Sequence, residues 1–165
     1  MTAQNNIAYQ SDHDHSRCIS SALQQAHDIC KANGQRLTRI RELVLKLVWQ
    51  SHKPLGAYDL LPAIAEAGFN SAPPTVYRAL DFLQEQGLVH RLASLNAFIG
   101  CTHPGHSHQG YFLICSVCGT TAELESNAIS QSIGDCAEQA GFTVEQQNVE
   151  ILGRCPNCLQ TDDTH

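Results

Sequence analysis

PPTVYRALDFLQEQGLVHRLASLNAFIGC, residues 73–101, is the stretch on which the reading of this chain turns. Pro73 and Pro74 suit the first turn of a helix, where a missing N–H costs little. The helix is predicted over Thr75 to Gln86 and closed by Gly87. Val76, Ala79, Leu80 and Leu83 form its apolar stripe. At 100° per residue, Thr75, Arg78 and Glu85 point away from that stripe. Past Gly87 the period changes. Leu88 to Leu92 and Ala97 to Cys101 read as two strands around the turn Ser94-Leu95-Asn96.

Three more helices precede this one. Ile19, Leu23, Ala26, Ile29 and Cys30 recur at helical spacing, and Asn33-Gly34 supplies a stop. Thr38 suits the N-cap of a second helix, along which Ile40, Leu43, Val44, Leu47 and Val48 make one apolar face. Arg36, Arg39 and Arg41 cluster at its start. Cations are unfavourable beside a helix N-terminus, but that penalty is tolerable next to a phosphate backbone. After the break at Lys53-Pro54, a short helix carries Ala57, Leu60, Leu61, Ile64 and Ala65 on one side, with Pro62 in its first turn and Gly68 at its end. Short helices followed by a hairpin is the order of a winged helix-turn-helix.

The histidine-rich loop Thr102 to Gln109 follows. Beyond it, strands are predicted at Tyr111 to Ile114 and Thr120 to Leu124, a helix over Ala128 to Ala140, and a long strand over Phe142 to Leu152. The fold class is α+β, with the winged helix in front of a small α/β domain.

Charge divides the same way. The net charge is -6 over 165 residues. Residues 1–93 hold 9 Lys and Arg against 8 Asp and Glu, whereas residues 94–165 hold 1 against 8. A general polyanion binder is therefore excluded, and any nucleic acid must be held by a focused patch on the front half. No apolar run reaches the roughly 20 residues of a membrane helix. The polar start, with His13 and His15 read as solvated, lacks the pattern of a secretory signal.

Without an export signal, a reducing compartment is expected, so paired cysteines read as metal ligands before they read as disulfides. Cys115-Ser116-Val117-Cys118 and Cys155-Pro156-Asn157-Cys158 are two CxxC knuckles. Together they offer four thiolates to a structural, tetrahedral zinc. Cys18, Cys30 and Cys136 have no partner at ligand spacing and are read as helix-packing residues. A second, looser set comprises His90, Cys101, His103, His106, His108 and Glu123. These residue types suit zinc, but histidines in a polar loop are also commonly just solvated.

Gln35-Arg36-Leu37-Thr38, Ala57-Tyr58-Asp59-Leu60-Leu61, the run Pro74 to Leu83 and the two CxxC pairs together resemble the ferric uptake regulator superfamily, from about Cys18 to Leu159. Within it the run Thr75 to Leu83 looks most like the zinc uptake regulator branch. The junction loop Cys101 to His108 departs from the iron-sensing pattern.

The resemblance implies structural zinc on Cys115, Cys118, Cys155 and Cys158, and regulatory zinc on His90, Cys101, His108 and Glu123. That makes two zinc ions per subunit, with His103 and His106 as extra candidates. It places Tyr58 and Arg78 against bases, the fourth helix in the major groove, and a homodimer on palindromic double-stranded DNA. Arg78 can bind guanine bidentately. Thr75 lies on the same outward face. Arg36, Arg39 and Arg41 are candidate phosphate contacts, and Tyr77 is a core or phosphate-contacting residue.

The expected organisation is a tail (1–16), a winged-helix domain (17–101), a hinge loop (102–109), a dimerisation domain (110–160) and a second tail (161–165). The expected function is a cytoplasmic, zinc-responsive repressor of zinc uptake genes, with no membrane partner and no small-molecule substrate. An iron- or peroxide-sensing repressor is the alternative. A zinc hydrolase is disfavoured, since four ligands leave no position for water and no helical HExxH occurs. A zinc-clamped interaction module that binds no DNA is disfavoured by the front half.

Overall fold

The computed structural model describes residues 15–51, 53–105 and 110–162. The chain divides into two compact units, Met1–His106 and Ser107–His165. Among the described residues, no helix is long and apolar enough to cross a membrane.

The first unit is built from four helices and a hairpin: α1 (His15–Ala32), α2 (Arg39–Trp49), α3 (Leu61–Glu66), α4 (Pro73–Glu85), β1 (Val89–Leu92) and β2 (Ala97–Gly100). A 3-10 turn over Ala57–Leu60 leads into α3. The Asp59 carboxylate accepts the Gly56 N–H at 2.8 Å and satisfies a donor that this tight entry leaves open. Pro62 falls in the first turn of α3, where it displaces no helical hydrogen bond.

The core is assembled from one stripe of each helix. Ala26 and Cys30 of α1 meet Val44, Leu45 and Val48 of α2, and Val76, Ala79, Leu80, Phe82 and Leu83 of α4. Phe82 lies beside the predicted stripe and widens it.

β1 and β2 pair antiparallel, with His90 opposite Ile99 and Leu92 opposite Ala97. The turn between them places Asn96 at φ 46°, a left-handed conformation that asparagine tolerates well. Arg91 donates to Asn96 Oδ1 at 2.9 Å across this turn. Leu55 adds a bridge to Phe98 on the far side of β2, with two backbone hydrogen bonds of 3.0 and 2.8 Å. A helix-turn-helix followed by this wing is the architecture that the element order predicted.

The second unit holds a three-stranded sheet in the order β4-β3-β5. Its elements are β3 (Gly110–Cys115), β4 (Thr121–Leu124), α5 (Asn127–Gln139), β5 (Asn148–Gly153) and α6 (Pro156–Asp162). β3 and β4 are antiparallel, while β3 and β5 are parallel, so α5 lies in the crossover between β4 and β5. The predicted long strand from Phe142 is shorter than expected. Its pairing starts only where Asn148 meets Gly110, and Phe142 is exposed. α6 was not foreseen. Cys155 to Cys158 reads as a metal-binding knuckle, but Pro156 also suits the first turn of a helix and is this helix's first residue.

Tyr111 is buried in this unit, and its hydroxyl donates to Gln147 Oε1 at 2.5 Å and lies 2.7 Å from Ser130 Oγ. Gln147 in turn donates to the Ser130 carbonyl at 3.4 Å. One phenol thus ties β3 to α5 and to the approach to β5. Tyr111→Phe leaves Gln147 without its donor in a partly buried position, and is expected to lower stability by about 1 kcal/mol. Urea unfolding of the second unit's signal checks this; an unchanged midpoint would remove the network from the fold's stabilising contacts.

Candidate metal centre and nucleic-acid interface

In the second unit the two CxxC pairs converge. Cys115 ends β3, and the tight turn after it brings Cys118 back, with Gly119 at φ 76°. Parallel pairing of β5 with β3 carries the chain to Gly153 beside Cys115. The Gly153 carbonyl accepts both the N–H and the hydroxyl of Ser116, at 2.8 and 3.0 Å. Cys155 and Cys158 follow at once, the latter in the first turn of α6. One ligand atom from each of the four cysteines lies within 4.8 Å of all the others, and Cys115 and Cys155 are buried.

The set fits zinc. A tetrahedron of sulfurs at about 2.3 Å from the metal has edges of about 3.8 Å, and Cys118 Sγ lies 3.7 Å from Cys155 Sγ. The thiol protons respond to the same crowding. Backbone amides, first that of Cys118 and then that of Cys155, lower the Cys115 pKa to about 6. The Thr120 hydroxyl, 3.2 Å from Cys118 Sγ, lowers that of Cys118. Cys158 is pushed up to about 12, first by the neighbouring Cys155 sulfur. Four adjacent thiols cannot all ionise unaided, and a dication is what permits it.

In the first unit, the wing presents two further donors. His90 is half-buried on β1. Cys101, only 1% exposed, follows β2 directly, and its N–H bonds the Leu88 carbonyl at 3.0 Å. His103 is exposed, and its Nδ1 lies 3.0 Å from Thr102 Oγ1. Glu123, half-buried on β4 opposite Phe112, belongs to the second unit. His106 and His108, and the tail histidine His13, lie outside the described residues; His15 begins α1.

Of the unpaired cysteines, Cys30 is buried in the core, and burial raises its thiol pKa. Cys18 is half-buried. Cys136 does not pack as expected: it is exposed, because no residue of α5 is buried within the single chain.

The candidate DNA-contacting residues separate by environment. Tyr58 is 66% exposed on the 3-10 turn before α3. Arg78 is exposed on α4, and Thr75 is half-buried in its first turn. Arg36 and Arg39 are exposed at the entry to α2. Tyr77 is half-buried and packs against the core. Arg41 is engaged internally. Its guanidinium lies 3.5 Å over the Phe82 ring, and its Nη1 donates to the Arg36 carbonyl at 2.6 Å. Spacing gave no sign of this, since the stack joins residues 41 positions apart on different helices.

Comparison with known proteins points the same way. The sequence model described as "Ferric uptake regulator family" matches residues 32–152. The zinc uptake regulation protein of Escherichia coli K12 is 36% identical over 141 residues, spanning 85% of this chain and 82% of that protein. A zinc uptake regulator complexed with zinc and DNA superposes with a TM-score of 0.83 at 35% identity, covering 88% of this chain and 97% of that one. Holo XcZur superposes with a TM-score of 0.77 at 42% identity, covering 85% and 98%.

Cys155→Ser is expected to leave the second unit without retained zinc and with a lower unfolding temperature. Removing one partner from a metal-clamped unit of this size forfeits binding energy that is also folding energy. Native mass spectrometry and thermal unfolding check both; full zinc retention in the variant would contradict the four-thiolate site.

Proposed function

The chain belongs to the ferric uptake regulator family, and on that premise we propose that it is a zinc-responsive repressor of zinc uptake genes, acting in the cytoplasm as a homodimer on palindromic operator DNA. It is no enzyme. Each subunit takes two zinc ions, a structural one on Cys115, Cys118, Cys155 and Cys158 and a regulatory one on His90, Cys101, His108 and Glu123. His103 and His106 are spare donors beside the second site.

One observation carries this reading. His90 and Cys101 flank the wing, on β1 and directly after β2, in the same unit that presents α4 with Arg78 exposed. Two of the donors that would report zinc therefore sit on the DNA-reading unit itself. The likeness to a zinc uptake regulator complexed with zinc and DNA supports it.

When bound, zinc supplies a dication with tetrahedral preference for sulfur, imidazole and carboxylate ligands. The thiolate of Cys101 favours zinc over ferrous iron, which separates this reading from an iron or peroxide sensor. The chain's own groups do the rest. Arg78 reads a base edge from the outward face of α4, and Thr75 lies on the same face. Tyr58 projects from the turn before α3. Arg36 and Arg39 hold phosphates and set affinity rather than sequence choice. Two α4 helices in a dimer match half-sites about one helical turn, or a multiple of it, apart. Joining wing donors to His108 and Glu123 restricts the wing, so DNA no longer bears the cost of ordering it.

Cys101→Ser is expected to remain a folded, structurally zinc-loaded dimer whose operator binding no longer rises with buffered free zinc. Fluorescence anisotropy with a labelled operator measures this, with ferrous iron and manganese buffers in parallel. An unaltered zinc response would overturn the regulatory site, and a response to iron instead of zinc in the unmodified protein would overturn the metal. Arg78→Ala should cost about 1–3 kcal/mol on the operator and relax preference at one base position. Equal losses on every DNA sequence would instead make Arg78 a phosphate contact.

A further inference from the structure

Helix α2 carries a distinctive contact near each end, Trp49 packed against the core and Arg41 over the core residue Phe82. At its C-terminus, the indole of Trp49 lies directly on Gly100, so closely that a Cβ added there would collide with the ring. Gly100 is the last residue of β2 and immediately precedes Cys101. Trp49 also borders a cavity of about 460 Å³, whose wall includes Leu45, Leu88, Cys101 and, from α1, Cys18 and Ala22. The indole is thus seated on the backbone next to the proposed zinc ligand and at the wall of an open cavity. At the N-terminal end of α2, the Arg41 guanidinium stacks on Phe82 of α4 and bonds the Arg36 carbonyl. Phe82 lies one helical turn after Arg78. Eight residues, a rise of about 12 Å, separate Arg41 from Trp49.

We propose that α2 is the strut through which the regulatory site sets the recognition helix, with Trp49 and Arg41 as its two positioning residues. With Cys101 held in a metal site, the Gly100 backbone is fixed, the indole keeps its seat and α2 keeps its position. Arg41 then holds Phe82, and with it the pitch at which Arg78 is offered to a base. With Cys101 released, the Gly100 seat loosens, Trp49 relaxes toward the cavity and the Arg41–Phe82 stack loses its fixed base. Arg41 on this view serves DNA binding through α4 and not by touching phosphate. The inference rests on the zinc-responsive reading above and adds the route by which the signal travels within the first unit.

Trp49 is the only tryptophan in the chain, so the unmodified protein carries its own reporter. In the full-length chain with structural zinc retained, titration with buffered free zinc is expected to shift Trp49 emission over the range in which operator affinity rises. Cys101→Ser should show neither change. Trp49→Phe should keep its zinc content and its zinc-free DNA affinity, yet lose about tenfold of the zinc-induced gain, within the usual span of coupling between sites. Arg41→Lys keeps the charge but loses the planar stack. It should discriminate the operator from scrambled DNA several-fold less well, with an unchanged dependence of affinity on salt.

Emission unmoved by zinc while DNA binding responds, or a full zinc gain in Trp49→Phe, would overturn the role of Trp49. In Arg41→Gln, which removes the charge as well as the stack, a salt slope smaller by about 1 would make Arg41 a phosphate contact and overturn its role as a strut. An unmodified protein whose DNA binding ignores zinc would instead sink the functional reading on which the inference rests.

Discussion

Four sulfur atoms held within 4.8 Å of one another are the constraint on which the second unit depends. Among the described residues its buried side chains are few: Tyr111, Phe112, Ile114, Cys115, Thr121, Ala122 and Cys155. A core of that size contributes little stability. Two of its members are themselves thiols of the cluster, so the cluster and the core are one structure. The sheet follows from the same constraint. Cys115 can meet Cys155 only if β5 runs alongside β3 in parallel, and a parallel neighbour needs a crossover, which α5 provides. The Ser116 bonds to the Gly153 carbonyl then fix the register at the end where the sulfurs meet.

That unit is also incomplete as a single chain. No residue of α5 is buried, β5 is an edge strand, and Phe142, Ile151, Leu152 and Leu159 are all exposed. Large apolar side chains gathered in so small a unit call for cover. A second copy of the chain, as in a homodimer, would supply it. The exposure of Cys136 belongs to the same account: the sequence placed it correctly on a helix, but that helix has no packed face within one chain.

The front unit was legible because its signals are local. Proline at the start of α4, glycine at its end and an apolar stripe between them fix the recognition helix without reference to anything distant. The change of period after Gly87 fixes the wing. The CxxC pairs were legible for a similar reason, as each knuckle is a four-residue motif with one geometry. What stayed hidden is tertiary. The Arg41 stack on Phe82, the indole on Gly100 and the late start of β5 at Asn148 each join residues far apart in the chain. Composition did offer two hints. Trp49 is the sole tryptophan, and Gly100 sits among the buried residues Phe98, Ile99 and Cys101, where a strand gains nothing from glycine unless another group must approach its backbone closely. α6 was not predicted because Cys155 to Cys158 was read only as a metal-binding knuckle, although Pro156 also suits the first turn of a helix.

Charge explains why such a chain needs a precise reading head. Binding of DNA without sequence preference is almost wholly electrostatic, and a chain of net charge -6 has little of that attraction to spend. One of its few front-half arginines, Arg41, is moreover occupied within the fold. Weak background affinity would leave occupancy of DNA to a small set of groups, with Arg78 on α4 and Tyr58 proposed to read bases and the exposed Arg36 and Arg39 to hold phosphates. A change in the pitch of one helix then alters a large fraction of the total interaction, whereas on a strongly basic protein it would be lost beneath contacts to phosphate. Low net attraction is therefore what makes control by a metal ion effective: a coupling of only a few kcal/mol between sites can decide whether DNA is bound.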